Sequence, residues 1–143
     1  MMLCDVNIYI NAHRSDNPHH DFYRSWLFTL MESKRTWAYC EFVLSAFVRI
    51  VTHPGIYKTP TPLEQALAFA ESIRNHPRAI GLMPAARHWG IFRGLCAATN
   101  ASGNLVPDAY LAALAMEWGA EWVTADRDFK RFPGLNCTLL RPV

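Results

Sequence analysis

Short apolar runs alternate along this chain with longer stretches whose apolar residues recur at helical spacing. Met2-Leu3-Cys4 is the first run and stops at Asp5, and residues 7–13 continue as a helical turn. Asp21 is placed to cap a helix carrying Phe22, Trp26, Leu27, Leu30 and Met31 as far as Ser33-Lys34-Arg35. Trp37-Ala38-Tyr39-Cys40 is a second apolar run. Glu41 then starts a helix with a broad apolar face from Phe42 to Val51, ended by His53-Pro54-Gly55. Thr61-Pro62-Leu63-Glu64 reads as a capping box with proline at the first helical position, and its helix runs to about Asn75. Residues 80–83 suit a short strand. Pro84 opens a helix that ends near Thr99, and Pro107-Asp108 starts another that closes at Gly119. That last helix is apolar around most of its circumference and is expected to be nearly enclosed. Residues 121–124 are strand-like, a short helical turn follows Asp126 as far as Phe132, and 138–140 make a final strand.

Strands alternating with helices predict an α/β fold, with a parallel sheet covered on both faces. In such sheets ligands bind beyond the carboxyl ends of the strands. The 143 residues fit one domain, 1–143, and show no repeat or linker; half are hydrophobic, which suits an ordered core. A net charge of +2 advertises no polyanion partner; Arg127, Lys130, Arg131 and Arg141 are either a solvated face or phosphate contacts. Cys4, Cys40, Cys96 and Cys137 have no metal-binding spacing and read as free thiols. His19-His20 reads as loop. With no signal peptide and no apolar run long enough to span a bilayer, a soluble cytoplasmic protein without membrane association is expected.

Four acids stand at element ends: Asp5 and Asp126 after strands, Glu41 and Asp108 in first turns of helices. Each alone reads as a cap, an Asx-turn or a complement to the helix dipole, worth roughly 0.3–1 kcal/mol. Asp5, Glu41 and Asp108 are each flanked by apolar residues, so they enter the interior from its edge. Four such carboxylates without four matching bases imply an absent cation, and oxygen ligands of this kind suit Mg²⁺ or Mn²⁺.

The residues carrying these acids resemble a family. LCDVNIYI, with Asp5 and Asn7, is similar to the opening motif of PIN-domain nucleases. AYCEFVLSAFVRIVTHP, with Glu41, Arg49 and His53-Pro54, resembles the second motif of the VapC branch; SGNLVPDAYLAALAMEWGA, with Asp108, resembles the third. EWVTADRDFKRFPGL, with Thr124, Asp126 and Asp128, resembles the fourth, and the match runs in order along essentially the whole chain. The resemblance implies a PIN-like three-layer α/β/α sandwich with a mainly parallel central sheet. It implies a Mg²⁺- or Mn²⁺-dependent endoribonuclease, the toxin of a type II toxin–antitoxin pair. A cognate VapB-like antitoxin whose tail blocks the site and a homodimer come with it.

By matched position, Asp5, Glu41, Asp108 and Asp126 are the implied catalytic and metal-site acids. Asn7 and Thr124 are polar supports, and Asp128 is an outer ligand or the cap of the short helix. Strand-end geometry favours Asp5 and Asp126 for direct metal contact, then Asp108, with Glu41 acting through water. Water activated by metal would attack the phosphodiester in line and leave a 5′-phosphate and a 3′-hydroxyl. Arg14, Arg49, Lys58, Arg127, Lys130 and Arg131 are the candidate RNA contacts, with Arg49 alternatively paired to an acid inside. Trp37, Trp89 and Trp122 are expected in the core. Two rivals stand beside this reading. One is a catalytically inert PIN-like module that binds RNA or protein. The other is a phosphatase or phospho-receiver, against which no second Asp follows Asp5 two residues on.

Overall fold

The computed structural model describes residues 1–143. Five short strands, β1 (Met2–Cys4), β2 (Trp37–Tyr39), β3 (Ala79–Gly81), β4 (Glu121–Thr124) and β5 (Cys137–Leu139), form one sheet in the order β3-β2-β1-β4-β5. Every pairing is parallel, with Leu3 opposite Ala38 on one side and Trp122 on the other. Six helices connect them: α1 (Val6–His13), α2 (His20–Glu32), α3 (Glu41–Val51), α4 (Leu63–Arg74), α5 (His88–Thr99) and α6 (Leu105–Glu117). The expected α/β architecture is therefore present, and its sheet is wholly parallel.

The strand order reverses at β1. From β1 the chain moves outward through β2 and β3, then returns to β4 on the other side of β1 and continues to β5. A crevice opens where two neighbouring connections leave in opposite directions, here between the carboxyl ends of β1 and β4. Asp5 follows β1 and Thr124 ends β4.

Strands buried on both faces explain why Leu3, Trp37, Ala38, Trp122 and Val123 are essentially inaccessible. Ile8 and Tyr9 of α1 and Phe47 and Val51 of α3 are buried in the same core, with Phe47 against His13 and Phe69. The enclosed helix is α6, where Ala109, Ala112, Ala113 and Ala115 all lose their solvent contact. Alanine suits this position because small side chains let neighbouring backbone approach. All four cysteines are free thiols, as expected. No helix is long and apolar enough to cross a membrane.

Several local expectations are corrected. The Thr61 capping box does not form: α4 has no side-chain cap, and the Thr61 hydroxyl instead accepts from Arg14 Nη1 at 3.2 Å and lies 3.1 Å from His13 Nε2. Long-range polar partners outcompete the local cap. The helix expected behind Asp21 starts at His20, with His19 as the left-handed N-cap residue at φ 61°. Pro84 opens a turn and the helix waits until His88. That turn is held by a buried acid of α6, since Glu117 accepts from the backbone N–H of Ala85 and of Arg87 at 2.8 and 2.9 Å. Trp37 and Trp122 are core residues, but Trp89 is 68 % exposed on α5, beside Phe92. Arg14, offered above as an RNA contact, is a buried brace that grips Asp16 through two nitrogens and stacks over Tyr57 at 3.9 Å.

Candidate active site

The crevice between β1 and β4 is built around one carboxylate. Asp5 is the N-cap of α1, 5 % exposed, and its Oδ1 accepts from the Val6 N–H at 2.7 Å. Its Oδ2 accepts from the Thr124 hydroxyl at 2.7 Å and from Asn7 Nδ2 at 3.1 Å. Capping thus fixes one oxygen, and the other faces the end of β4.

Thr124 is fully buried and serves three partners. Its hydroxyl donates to Asp5 and accepts from Asn7 Nδ2 at 3.2 Å and from the Asp126 N–H at 2.9 Å. Asn7 closes the network by accepting from the Ala125 N–H at 3.1 Å. One helical turn after β1 and one turn after β4 are thereby locked together. The Asn7 amide orientation follows from this network.

Asp126 caps the short 3-10 helix at Arg127–Arg131, its Oδ1 accepting from the Asp128 N–H at 2.9 Å. The capping role offered above for Asp128 therefore belongs to Asp126. Asp128 is exposed and its side chain makes no hydrogen bond. Asp108 stands in the first turn of α6, half-buried, and its carboxylate accepts no hydrogen bond from any part of the chain.

Electrostatics tie these acids into one group. Burial pushes the Asp5 carboxyl up to about 6, against the pull of its Thr124 and Val6 hydrogen bonds, and the charge of Asp126 adds to the rise. Burial likewise pushes Asp108 up to about 6, reinforced by the charges of Asp5, Asp126 and Asp128. No lysine or arginine forms an ion pair with Asp5, Asp108, Asp126 or Asp128.

Glu41 stands apart. It is exposed at the start of α3, its Oε2 lies 2.8 Å from Arg74 Nε, and it is not among the charges that raise Asp5 and Asp108. The expectation of four acids without matching bases fails here: Arg74, at the end of α4, is the base. Its sequence separation of 33 residues hid this pairing from local reading. Arg49 is exposed and pairs with no acid, contrary to the internal pairing considered for it.

Among the candidate RNA contacts of the fourth motif, Lys130 donates to the Cys137 carbonyl at 2.7 Å, while Arg127 and Arg131 are exposed and unpartnered. Arg141, left above as solvated face or phosphate contact, lies outside the four motifs yet reaches the site. It donates from Nε and Nη2 to the carbonyl of Ala125, between Thr124 and Asp126, at 3.0 and 2.9 Å. Only its charge was legible in the sequence.

The available donors are all carboxylate oxygens, which suit a hard divalent cation, and Asp108 offers both oxygens free of chain partners. No three of these acids converge closely enough to hold one ion by themselves. Mg²⁺ ordinarily keeps several waters and takes only one or two carboxylates, so such spacing fits it.

The profile of the PIN domain matches residues 2–135. The chain is 38 % identical to ribonuclease VapC25 of Mycobacterium tuberculosis over 95 % of its own length and 96 % of that protein. It is 39 % identical to VapC ribonuclease Mb2897 of Mycobacterium bovis, over 94 % and 92 %. The fold is shared with the crystal structure of VapBC2 from Rickettsia felis bound to a promoter DNA fragment, at TM-score 0.67 and 23 % identity over 96 % of each chain. It is shared equally with VapC20 of Mycobacterium tuberculosis, described as a sarcin-ricin loop cleaving toxin, at TM-score 0.67 and 15 % identity over 99 % of this chain and all of that one. An α/β crevice with carboxylates at its switch point, a domain match along nearly the whole chain and ribonucleases at this identity place it in one family: the chain belongs to the PIN-domain ribonucleases of the VapC toxin family.

Proposed function

We infer that this protein is a Mg²⁺- or Mn²⁺-dependent endoribonuclease, the toxin of a VapBC-like toxin–antitoxin pair. The observation that carries the metal dependence is the group Asp5, Asp108 and Asp126. Burial and mutual repulsion raise Asp5 and Asp108, no basic side chain relieves them, and the Asp108 carboxylate has no donor. Partly desolvated carboxylates without a matching positive charge are costly, and a divalent cation offsets that cost. Asp5, Asp108 and Asp126 are the residues that would hold it, one or two directly and the rest through water; Glu41 joins only if it leaves Arg74.

A bound Mg²⁺ or Mn²⁺ would supply an acidified water and neutralise charge that builds on the phosphate. The chain's own work is positional. Thr124 and Asn7 aim Asp5 Oδ2 into the crevice, and the cap made by Asp126 fixes the backbone of the adjoining helix. Asp128 is exposed at the rim and serves as an outer contact. RNA as substrate, and a VapB-like antitoxin as partner, are supported by the ribonuclease relatives and by the VapBC2 neighbour. Phe42 and Trp89, exposed and joined through Tyr110 and Phe92, support a surface for the antitoxin or for a second copy of the chain.

The test is incubation of purified protein with total RNA in Mn²⁺, with Asp5→Ala as control. Cleavage by wild type alone is expected. No cleavage, or equal cleavage by the variant, favours an inert binding module.

A further inference from the structure

Arg141 lies just past β5, and three observations converge on it. The first is place. β5 runs parallel to β4, so its carboxyl end lies at the same sheet edge as Thr124. The chain there is pinned from two sides: the Leu140 N–H donates to the Thr124 carbonyl at 2.7 Å, and the Tyr23 hydroxyl donates to the Leu140 carbonyl at 2.9 Å.

The second is orientation. With Nε and Nη2 both on the Ala125 carbonyl, one edge of the planar guanidinium is fixed against the backbone that leads into Asp126. Nη1 makes no hydrogen bond within the chain, and the residue is exposed. The edge formed by Nη1 and Nη2 therefore faces outward with parallel N–H donors, the arrangement that takes a phosphate through two oxygens.

The third is charge. An RNA strand reaching Asp5, Asp108, Asp126 and Asp128 approaches carboxylates that no arginine or lysine pairs. Of the nearby cations, Lys130 is held by the Cys137 carbonyl, and Arg127 and Arg131 have no contact that fixes their direction. Arg141 alone is both anchored to the backbone of the site and free on one edge.

We propose that Arg141 is a substrate-positioning residue whose free guanidinium edge binds a phosphate of the RNA strand beside the one that is cut. This rests on the ribonuclease reading above. The competing role is purely structural: Arg141 would only tether the turn before Asp126, and its loss would be felt by the metal site rather than by RNA.

The test compares Arg141→Ala and Arg141→Lys. Binding of a labelled single-stranded RNA oligonucleotide of mixed sequence is measured against salt, in Mn²⁺, with Asp5→Asn as the background so that RNA stays intact. Mn²⁺ affinity is measured by calorimetry with Asp5 retained, and circular dichroism checks the fold. Arg141→Ala is expected to weaken RNA binding roughly ten-fold, as for one charge-assisted contact. It should also flatten the slope of log K against log salt by about 0.7, the value for one phosphate of a single strand. Arg141→Lys should keep that slope while recovering only part of the affinity, and Mn²⁺ affinity should not move. In cleavage assays KM rises with kcat little changed. Loss of Mn²⁺ affinity with an unchanged salt slope, or unchanged RNA binding in Arg141→Ala, overturns the proposal and leaves the ribonuclease reading intact. A wild-type protein that neither cleaves RNA nor, as Asp5→Asn, binds it in a salt-dependent way removes both.

Discussion

At the scale of single residues, the two acids of the fourth motif separate by what their side chains touch. Asp126 both faces the crevice charges and caps the 3-10 helix, whereas the Asp128 side chain is exposed and unbonded. Asp126→Asn keeps an acceptor for the Asp128 N–H, so thermal unfolding should change little while cleavage is lost. Asp126→Ala should lose cleavage and, in addition, about 0.5–2 kcal/mol of stability with the cap. Asp128→Ala should only weaken cleavage, and equal loss from Asp126→Asn and Asp128→Ala erases the distinction. Thr124→Val keeps the shape of the side chain and removes all its polar partners. A drop in cleavage of roughly five- to hundred-fold is expected, the rate equivalent of about 1–3 kcal/mol lost from a buried network; steady-state assays at saturating Mn²⁺ check it. Asp5 could be named from sequence because it ends a short apolar run, whereas Asn7 and Thr124 were legible only through the family resemblance. The pairing of Glu41 with Arg74 and the seating of Arg141 on Ala125 join residues far apart in the chain, and no local pattern records such contacts.

At the scale of elements, apolar periodicity located every strand and helix to within a few residues, because strands buried on both faces and helices with one wet face leave distinct traces. Caps were less legible. Thr61 was claimed by Arg14 and His13, and the turn at 84–87 was claimed by the carboxylate of Glu117, so tertiary partners displaced the local ones. Glu117→Ala leaves the N–H groups of Ala85 and Arg87 without their acceptor and should destabilise the protein by about 1–3 kcal/mol in a urea melt. Trp89 looked like core because it falls on an apolar helix, but periodicity cannot tell a face turned to the sheet from one turned outward. Ala112, fully enclosed in α6, tests the packing from the other direction. Ala112→Leu should cost roughly 1–3 kcal/mol by overpacking, in the same urea melt.

At the scale of the whole molecule, the crevice exists because the order β3-β2-β1-β4-β5 reverses at β1, and the acids that line it load the folded chain with charge. Asp5 and Asp108 stand at about 6 in the folded protein, above the ordinary carboxylate value of about 4 expected when unfolded. The folded state therefore holds those protons more tightly. Their contribution favours folding below about pH 4 and is lost as pH rises through about 6. Metal-free protein in chelator should consequently melt at a higher temperature at pH 5.5 than at pH 7.5 where these two acids dominate the difference, roughly as linkage requires. Added Mn²⁺ should raise the melting temperature at the higher pH, because it binds the folded carboxylates alone. Asp108→Asn should blunt both effects. The most direct test of the central claim is the initial rate of RNA cleavage by the purified protein as Mn²⁺ is titrated into chelator-cleared buffer, alongside Asp5→Asn and Asp108→Asn. A rate that rises from zero to saturation in wild type, stays near zero in both variants and yields 5′-phosphate ends is the predicted result; cleavage that persists in chelator, or survives in either variant, would contradict it.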